Sequence, residues 1–278
     1  MPGQPQDDNN NPAQKRIAAA EEKMRQAQEK LEKAKRSEAK SDQEEAIREL
    51  EQAKAELEAI LRQLREEQIQ RTLAMLEGRF RKMLEIQIQV YEGTLRLDRV
   101  PEEQRDQDVQ IESGRLGRKE STILIEADKA LALLREEGSA VAMPEAVEQM
   151  RDDMAQVVSR LSQTKVGSVT QGLEEDIITA LEELIAALEK AQQEMEKQKG
   201  QPGQPGDPQD QPLVDKLAEL KVIRSLQMRV NKRTQRYAKL IDGEQAVDPE
   251  LVQALEQLGD REQKIFRATK DIATGKNQ

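Results

Sequence analysis

The sequence predicts an all-α fold: an elongated antiparallel coiled-coil arm, a slim helical bundle, a Pro/Gly linker and a C-terminal helical hairpin. Two observations carry this prediction. Apolar residues recur three and four apart along most of the 278 residues, the spacing of a helix seam. The composition also suits narrow seams and not a wide core: aromatics make up 1 % of the chain, and charged residues at 35 % nearly equal apolar ones at 36 %. Paired helices need only a stripe of apolar side chains, whereas a broad globular core needs far more large apolar area.

The elements follow in order. Residues 1–12, MPGQPQDDNNNP, lack the apolar core of a signal peptide and read as a disordered leader. From Ala13, Ile17, Met24 and Leu31 repeat every seven residues, and Ala20, Ala27 and Ala34 follow each by three, so both sets are expected in one a/d seam. The sequence Ser41-Asp42-Gln43-Glu44 matches a capping box, which places the end of a first helix near Ser37 and the start of a second at Ser41. A connection this short favours an antiparallel hairpin.

The second helix carries Ala46, Leu50, Ala53, Leu57, Ile60 and Leu64, then slips phase to Ile69, Leu73, Leu76, Phe80, Met83 and Val90. The slip reads as a stutter or a change of partner. Running to about Leu97, this helix would be roughly 80 Å long. Gly78 and Gly93 lie inside it and are candidates for close helix approach. A stop at Asp98–Pro101 precedes a third helix with Val109, Leu116, Ile123 and Ala130 seven apart, and Gly114 and Gly117 predict a break near 113–118. A loop at 138–143 leads to a fourth helix with Val147, Met150, Met154, Val157 and Leu161 inward. A joint at 165–170 leads to a fifth with Ile177, Leu181, Leu184, Leu188, Ala191 and Met195. The second half of helix two and helices three to five are expected to form a four-helix body.

Residues 199–212, KGQPGQPGDPQDQP, contain too few Gly-x-Pro triplets for a triple helix and read as a flexible linker, the clearest domain boundary in the chain. Residues 13–198 therefore form the arm and bundle, and residues 213–274 a C-terminal hairpin that docks back or grips a partner.

Absent residue types exclude chemistry. The chain has no Cys and no His. Thiolate and imidazole catalysis and N/S zinc sites are ruled out, and a His-containing di-iron bundle is disfavoured. The sequence predicts no catalytic residue, no cofactor, no metal site and no small-molecule substrate. The acidic runs Asp152-Asp153 and Glu174-Glu175-Asp176 lack calcium-loop spacing, and the second sits where acids favour a helix start. The methionines fall on apolar stripes and read as core filling.

The candidate site is the basic stretch of the penultimate helix: Lys221, Arg224, Arg229, Lys232, Arg233, Arg236 and Lys239, in a chain whose net charge is −10. Ile223, Leu226, Val230, Tyr237 and Ile241 fall within about 60° on a helical wheel, with the cations spread over the other half. Such a helix suits an anionic membrane surface, an anionic polymer, nucleic-acid phosphates, or acids of its own bundle. Residues 200–278 carry 13 basic and 12 acidic side chains, so the rest of the chain, at −11, is complementary to the helix. That favours an internal or self partner. The scarcity of aromatics for base stacking weighs against nucleic acid.

The segments LRQLREEQIQRTLAMLEGRFRKMLEIQIQVYEGT and LVDKLAELKVIRSLQMRVNKRTQRY resemble stretches of uncharacterised bacterial coiled-coil proteins that are often made with an export signal. The resemblance implies only the possibility of a cell-envelope location, and no activity; the sequence as given departs from those proteins in showing no export signal. The chain as given reads as soluble: in the cell envelope or exported if a signal peptide lies upstream, cytoplasmic otherwise. The function expected is a structural or scaffolding protein acting through helix–helix contacts with itself or another helical protein. The alternative is a binding module for an anionic polymer, a membrane surface or nucleic acid.

Overall fold

The computed structural model describes residues 12–33, 35–198, 212–241 and 245–275. Among them the chain is all-α, with no strand: α1 (Pro12–Glu32), α2 (Arg36–Asp98), α3 (Gln107–Glu137), α4 (Ala142–Ser162), α5 (Ser168–Gln198), α6 (Lys216–Ala238) and α7 (Pro249–Thr274), with one 3-10 turn at Glu102–Gln104. Residues 1–11 of the leader, 199–211 of the linker and the seam residue Ala34 lie outside the described residues. Pro12 opens α1 and does not belong to a leader. The described residues fall into two compact units, 12–68 and 69–198 with 212–275.

The first unit is an antiparallel helix pair, α1 against the first half of α2. Arg16 Nε donates to Glu56 Oε1 at 2.6 Å and its Nη1 to Glu49 at 3.2 Å, while Lys23 reaches Glu45 and Lys30 reaches Asp42, each at 2.6 Å. Early residues of α1 thus meet late ones of α2. The turn is tighter than expected. α2 begins at Arg36, so Ser41 is an exposed residue inside the helix and Asp42 pairs with Lys30 in place of the predicted capping box.

The seam itself differs more. Ala13, Ala20, Ala27, Ala39, Ala46 and Ala53 are buried, whereas Ile17, Met24, Leu31, Leu50, Leu57 and Leu64 are exposed. The two columns predicted to share one seam are split. Alanine lets the two backbones approach closely, and residues three and four positions on then flank the contact on opposite sides. The cations three positions after each alanine take one side, where they meet acids. The large apolar residues four positions on take the other.

The second unit contains the apolar core. From α2 it takes Ile69, Leu73, Leu76, Phe80, Met83 and Val90, all no more than 1 % exposed. The phase slip between Leu64 and Ile69 coincides with the boundary between the units, as a change of partner would require. Leu116, Ile123 and Ala130 of α3, Val147 through Leu161 of α4 and Ile177 through Leu188 of α5 are buried as the spacing predicts.

Gly93 does mark a close approach: a Cβ there would lie 2.6 Å from Leu116 Cδ2. Gly78 marks nothing within 4 Å. α3 runs unbroken through Gly114 and Gly117, because Gly117 packs against Leu161 of α4 and helix contact outweighs the glycine cost of about 1 kcal/mol. Gly138 ends α3 in the left-handed region (φ 76°), its N–H donating to Leu134 O.

The expected four-helix body is incomplete. Leu226, Val230 and Tyr237 of α6 and Leu258, Ile265, Ala268 and Ile272 of α7 join the same core, so the C-terminal pair docks back on the bundle, one of the two arrangements expected of it. Glu219 of α6 fixes the junction. Its Oε2 accepts from the backbone N–H groups of Val141 (2.8 Å) and Ala142 (2.7 Å), capping an α4 N-terminus that has no side-chain cap of its own. Ser139 Oγ accepts from Leu213 N at 2.8 Å beside it.

Candidate functional site: the basic helix and its buried partners

Asp215 starts α6, its Oδ1 accepting from Ala218 N at 2.5 Å. Leu226, Val230, Arg233 and Tyr237 then follow the four-three spacing of the buried side. Arg233 therefore occupies a seam position. It is 3 % exposed, which corrects its expected place on the solvent half of the wheel. Its guanidinium grips Asp153 of α4 with two bonds, Nη1 to Oδ1 at 2.8 Å and Nη2 to Oδ2 at 2.5 Å, and its Nε reaches Asp176 Oδ2 of α5 at 2.5 Å. Arg261 of α7 adds Nη1 to Asp153 Oδ2 at 3.1 Å and a second bond from Nη2 to Oδ1. Arg236 Nη2 lies 3.5 Å from Asp176 Oδ1.

Four helices are thus tied by one buried cluster. Burial works against the charge on Asp153, but Arg233 and Arg261 outweigh it and hold the carboxyl well below the usual carboxylate range. Burial likewise opposes the charge on Arg233, and Asp153 and Asp176 overcome it, raising the guanidinium further. Asp153 and Asp176 belong to the two acidic runs, and each is taken up in these buried pairs. The helix-start reading of residues 174–176 is corrected, since α5 begins six residues earlier at Ser168.

The other predicted cations divide. Arg229 is mostly buried, its Nη2 3.5 Å from Glu183 Oε2, and burial lowers its pKa. Lys221, Arg224, Lys232 and Lys239 are exposed. Beside the first two, α4, α5 and α6 leave a groove of about 370 Å³, floored by Ala146, Leu184, Ala187 and Val222 and rimmed by Lys190, Lys221, Arg224 and Arg229.

A second polar layer crosses the bundle, and the sequence reading does not foresee it. Gln87 and Thr94 continue the four-three column of α2. Ser113 and Glu120 continue the seven-residue column of Ala127 and Leu134 in α3. Glu174 of α5 completes the layer, and all five are buried. Thr94 Oγ1 lies 2.7 Å from Glu174 Oε1 and 3.1 Å from Val90 O. One hydroxyl hydrogen cannot serve both acceptors, but a protonated Glu174 can donate to Thr94 while Thr94 donates to Val90.

Burial, opposed by the Thr94 bond and helped by Glu175, pushes Glu174 up to about 8. Burial and the charge of Glu174 raise Glu120 well above the usual range, against the Gln87 amide, which donates to both its oxygens at 3.1 Å when its nitrogen is assigned to the side facing them. Nearby, the Tyr91 hydroxyl donates to Glu175 at 2.7 Å, which with burial pushes it up to about 12. Among the described residues no three acidic side chains converge in a way that could hold a metal ion.

No protein-family model, curated protein or solved structure matches this chain. Its reading therefore rests on its own residues. Among the described residues, no helix is long and apolar enough to cross a membrane.

Proposed function

We propose that the chain is a non-enzymatic scaffold that works through helix–helix contacts, in coiled-coil fashion, with itself or another helical protein as partner. The observation that supports this reading is the α1–α2 pair, which buries alanines and presents Ile17, Met24, Leu31, Leu50, Leu57 and Leu64. Its ion pairs are mostly half-exposed to water and contribute little, and alanine burial removes little apolar area from water. A helix pair of this kind gains most of its stability when something covers the large side chains. A photo-crosslinking residue at position 57 of the full chain, in the cell that makes it, is expected to yield protein adducts that Leu50→Glu abolishes. A position 57 that cross-links to no protein overturns the reading.

The exposed Lys221 and Arg224 on the rim of the groove, with exposed Lys232 further along α6, favour a second reading, a docking helix for an anionic polymer, membrane surface or nucleic acid. Changing these three to Glu tests it, since changing Arg233 would destabilise the bundle. Salt-sensitive retention on anionic vesicles, cell-wall polymer or nucleic acid, lost in the triple variant, supports it. Retention unchanged by the variant removes it.

A further inference from the structure

We propose that the apolar face of the α1–α2 pair is a self-association surface, and that it is covered by the same face of a second copy of this chain. This rests on the scaffold reading above and names its partner.

The face is set by geometry within residues 12–68. The cations three positions after the buried alanines of α1 all reach acids of α2, which fixes one side of the pair as the ionic side. The residues four positions after, Ile17, Met24 and Leu31, are 45 %, 48 % and 50 % exposed on the opposite side. Leu50 and Leu57 stand in the same relation to the buried Ala46 and Ala53 of α2 and share that side, and Leu64 continues their column one heptad on. A shallow groove lined by Met24, Leu31 and Gln43, the residue one heptad before Leu50, is where the two columns meet. Ile47 and Leu61, also exposed, widen the stripe along α2.

Area and symmetry select a second copy. At roughly 80 Å² of exposed surface per side chain, the eight residues offer on the order of 600 Å², and two such faces together about 1,200 Å², where stable specific interfaces begin. Both helices carry aliphatic columns with a seven-residue period, so a two-fold axis brings column against column and makes a four-helix bundle of two identical pairs. Charge does not oppose this. Arg16, Lys23 and Lys30 are neutralised within the pair on the far side, and Lys54, which interrupts the stripe, pairs with Glu58 at 3.7 Å.

Sedimentation of the purified full chain tests this. A concentration-dependent rise from the 31.5 kDa monomer to twice that mass is expected, weakened about 100-fold by Leu50→Glu with Leu57→Glu. Because the sequence has no cysteine, Leu50→Cys gives a unique thiol on the face, and Arg48→Cys, an exposed position about 160° round α2 from Leu50 at 100° per residue, is a control pointing away from it. A short bis-maleimide is expected to link two copies through position 50 and not through 48, a readout that stands even if the Glu variants lose helicity. A monomer at every concentration, a dimer indifferent to the face substitutions, or equal linking at both positions overturns the proposal. A monomeric purified chain whose position 57 still forms adducts with another protein in the cell sinks the second copy alone and leaves the scaffold reading standing.

Discussion

Arg233→Ala is expected to destabilise the second unit by about 3–5 kcal/mol, the cost of leaving buried charge without its partner. Arg233 and its two carboxylate partners are each no more than 5 % exposed, so water cannot replace the lost guanidinium. Arg261 still holds Asp153, but Asp176 keeps only the 3.5 Å contact with Arg236. Urea unfolding measures the loss. Hydrogen exchange is expected to rise first in α6 and α7, which the cluster ties to α4 and α5.

The pairing also has an acid signature. A carboxyl held low in the folded state contributes stability that is full above its unfolded pKa, near 4, and lost as pH falls. The wild type should therefore lose stability below about pH 4, and Arg233→Ala should flatten that limb. Arg233→Met combined with Asp176→Asn should cost less than the two single changes together, because the double variant no longer strands the second charge. A loss under about 1 kcal/mol for Arg233→Ala would mean the cluster is not dry and not paired as described.

The fold was legible where one side chain type filled one column. The four-three spacing of α2 from Ile69, and the columns of α4 and α5, told which residues are buried because large apolar side chains there have no competing role. Legibility failed where a column was mixed. In the α1–α2 pair, alanine and isoleucine both satisfy an apolar pattern, and spacing alone cannot say which sits at the contact. Backbone proximity decides that, and it favours the smaller residue.

The same failure hid the polar sites. Arg233, Glu120, Gln87 and Thr94 each hold a seam position, so the signal was present: a charged or amide residue interrupting an apolar column. At 100° per residue Arg233 falls about 20° from Leu226, beside the apolar stripe of α6, and only its charge groups it with the cations, because nothing in α6 alone shows that α4 and α5 bring Asp153 and Asp176 to meet it. Partners from distant segments are a tertiary fact, and here they convert a basic residue into a core residue.

The Glu120–Glu174 layer leads to the opposite pH dependence. A carboxyl whose folded pKa lies above its unfolded value binds extra protons in the native state, so its stabilisation is full below the unfolded pKa and lost as pH rises through the folded one. For Glu174 that window runs from the ordinary carboxylate range to about 8, and Glu120 moves in the same direction. Burial also raises Glu145 and Glu219, which add in the same sense.

The wild type is therefore expected to lose a few kcal/mol between pH 5 and pH 9, at about 1.4 kcal/mol for each tenfold difference in proton affinity between the folded and unfolded forms of a group that must ionise. Tyr91, pushed up to about 12, stays neutral throughout and contributes nothing to the slope. Glu174→Gln offers an amide N–H to donate to Thr94, as the protonated carboxyl does, and removes the charge that would have to be buried. It should be roughly as stable as wild type at pH 5 and about 2–4 kcal/mol more stable at pH 9. Urea midpoints across that range decide the matter. A wild type as stable at pH 9 as at pH 5 would show that water or a cation reaches the layer and that neither carboxyl is held neutral by its surroundings.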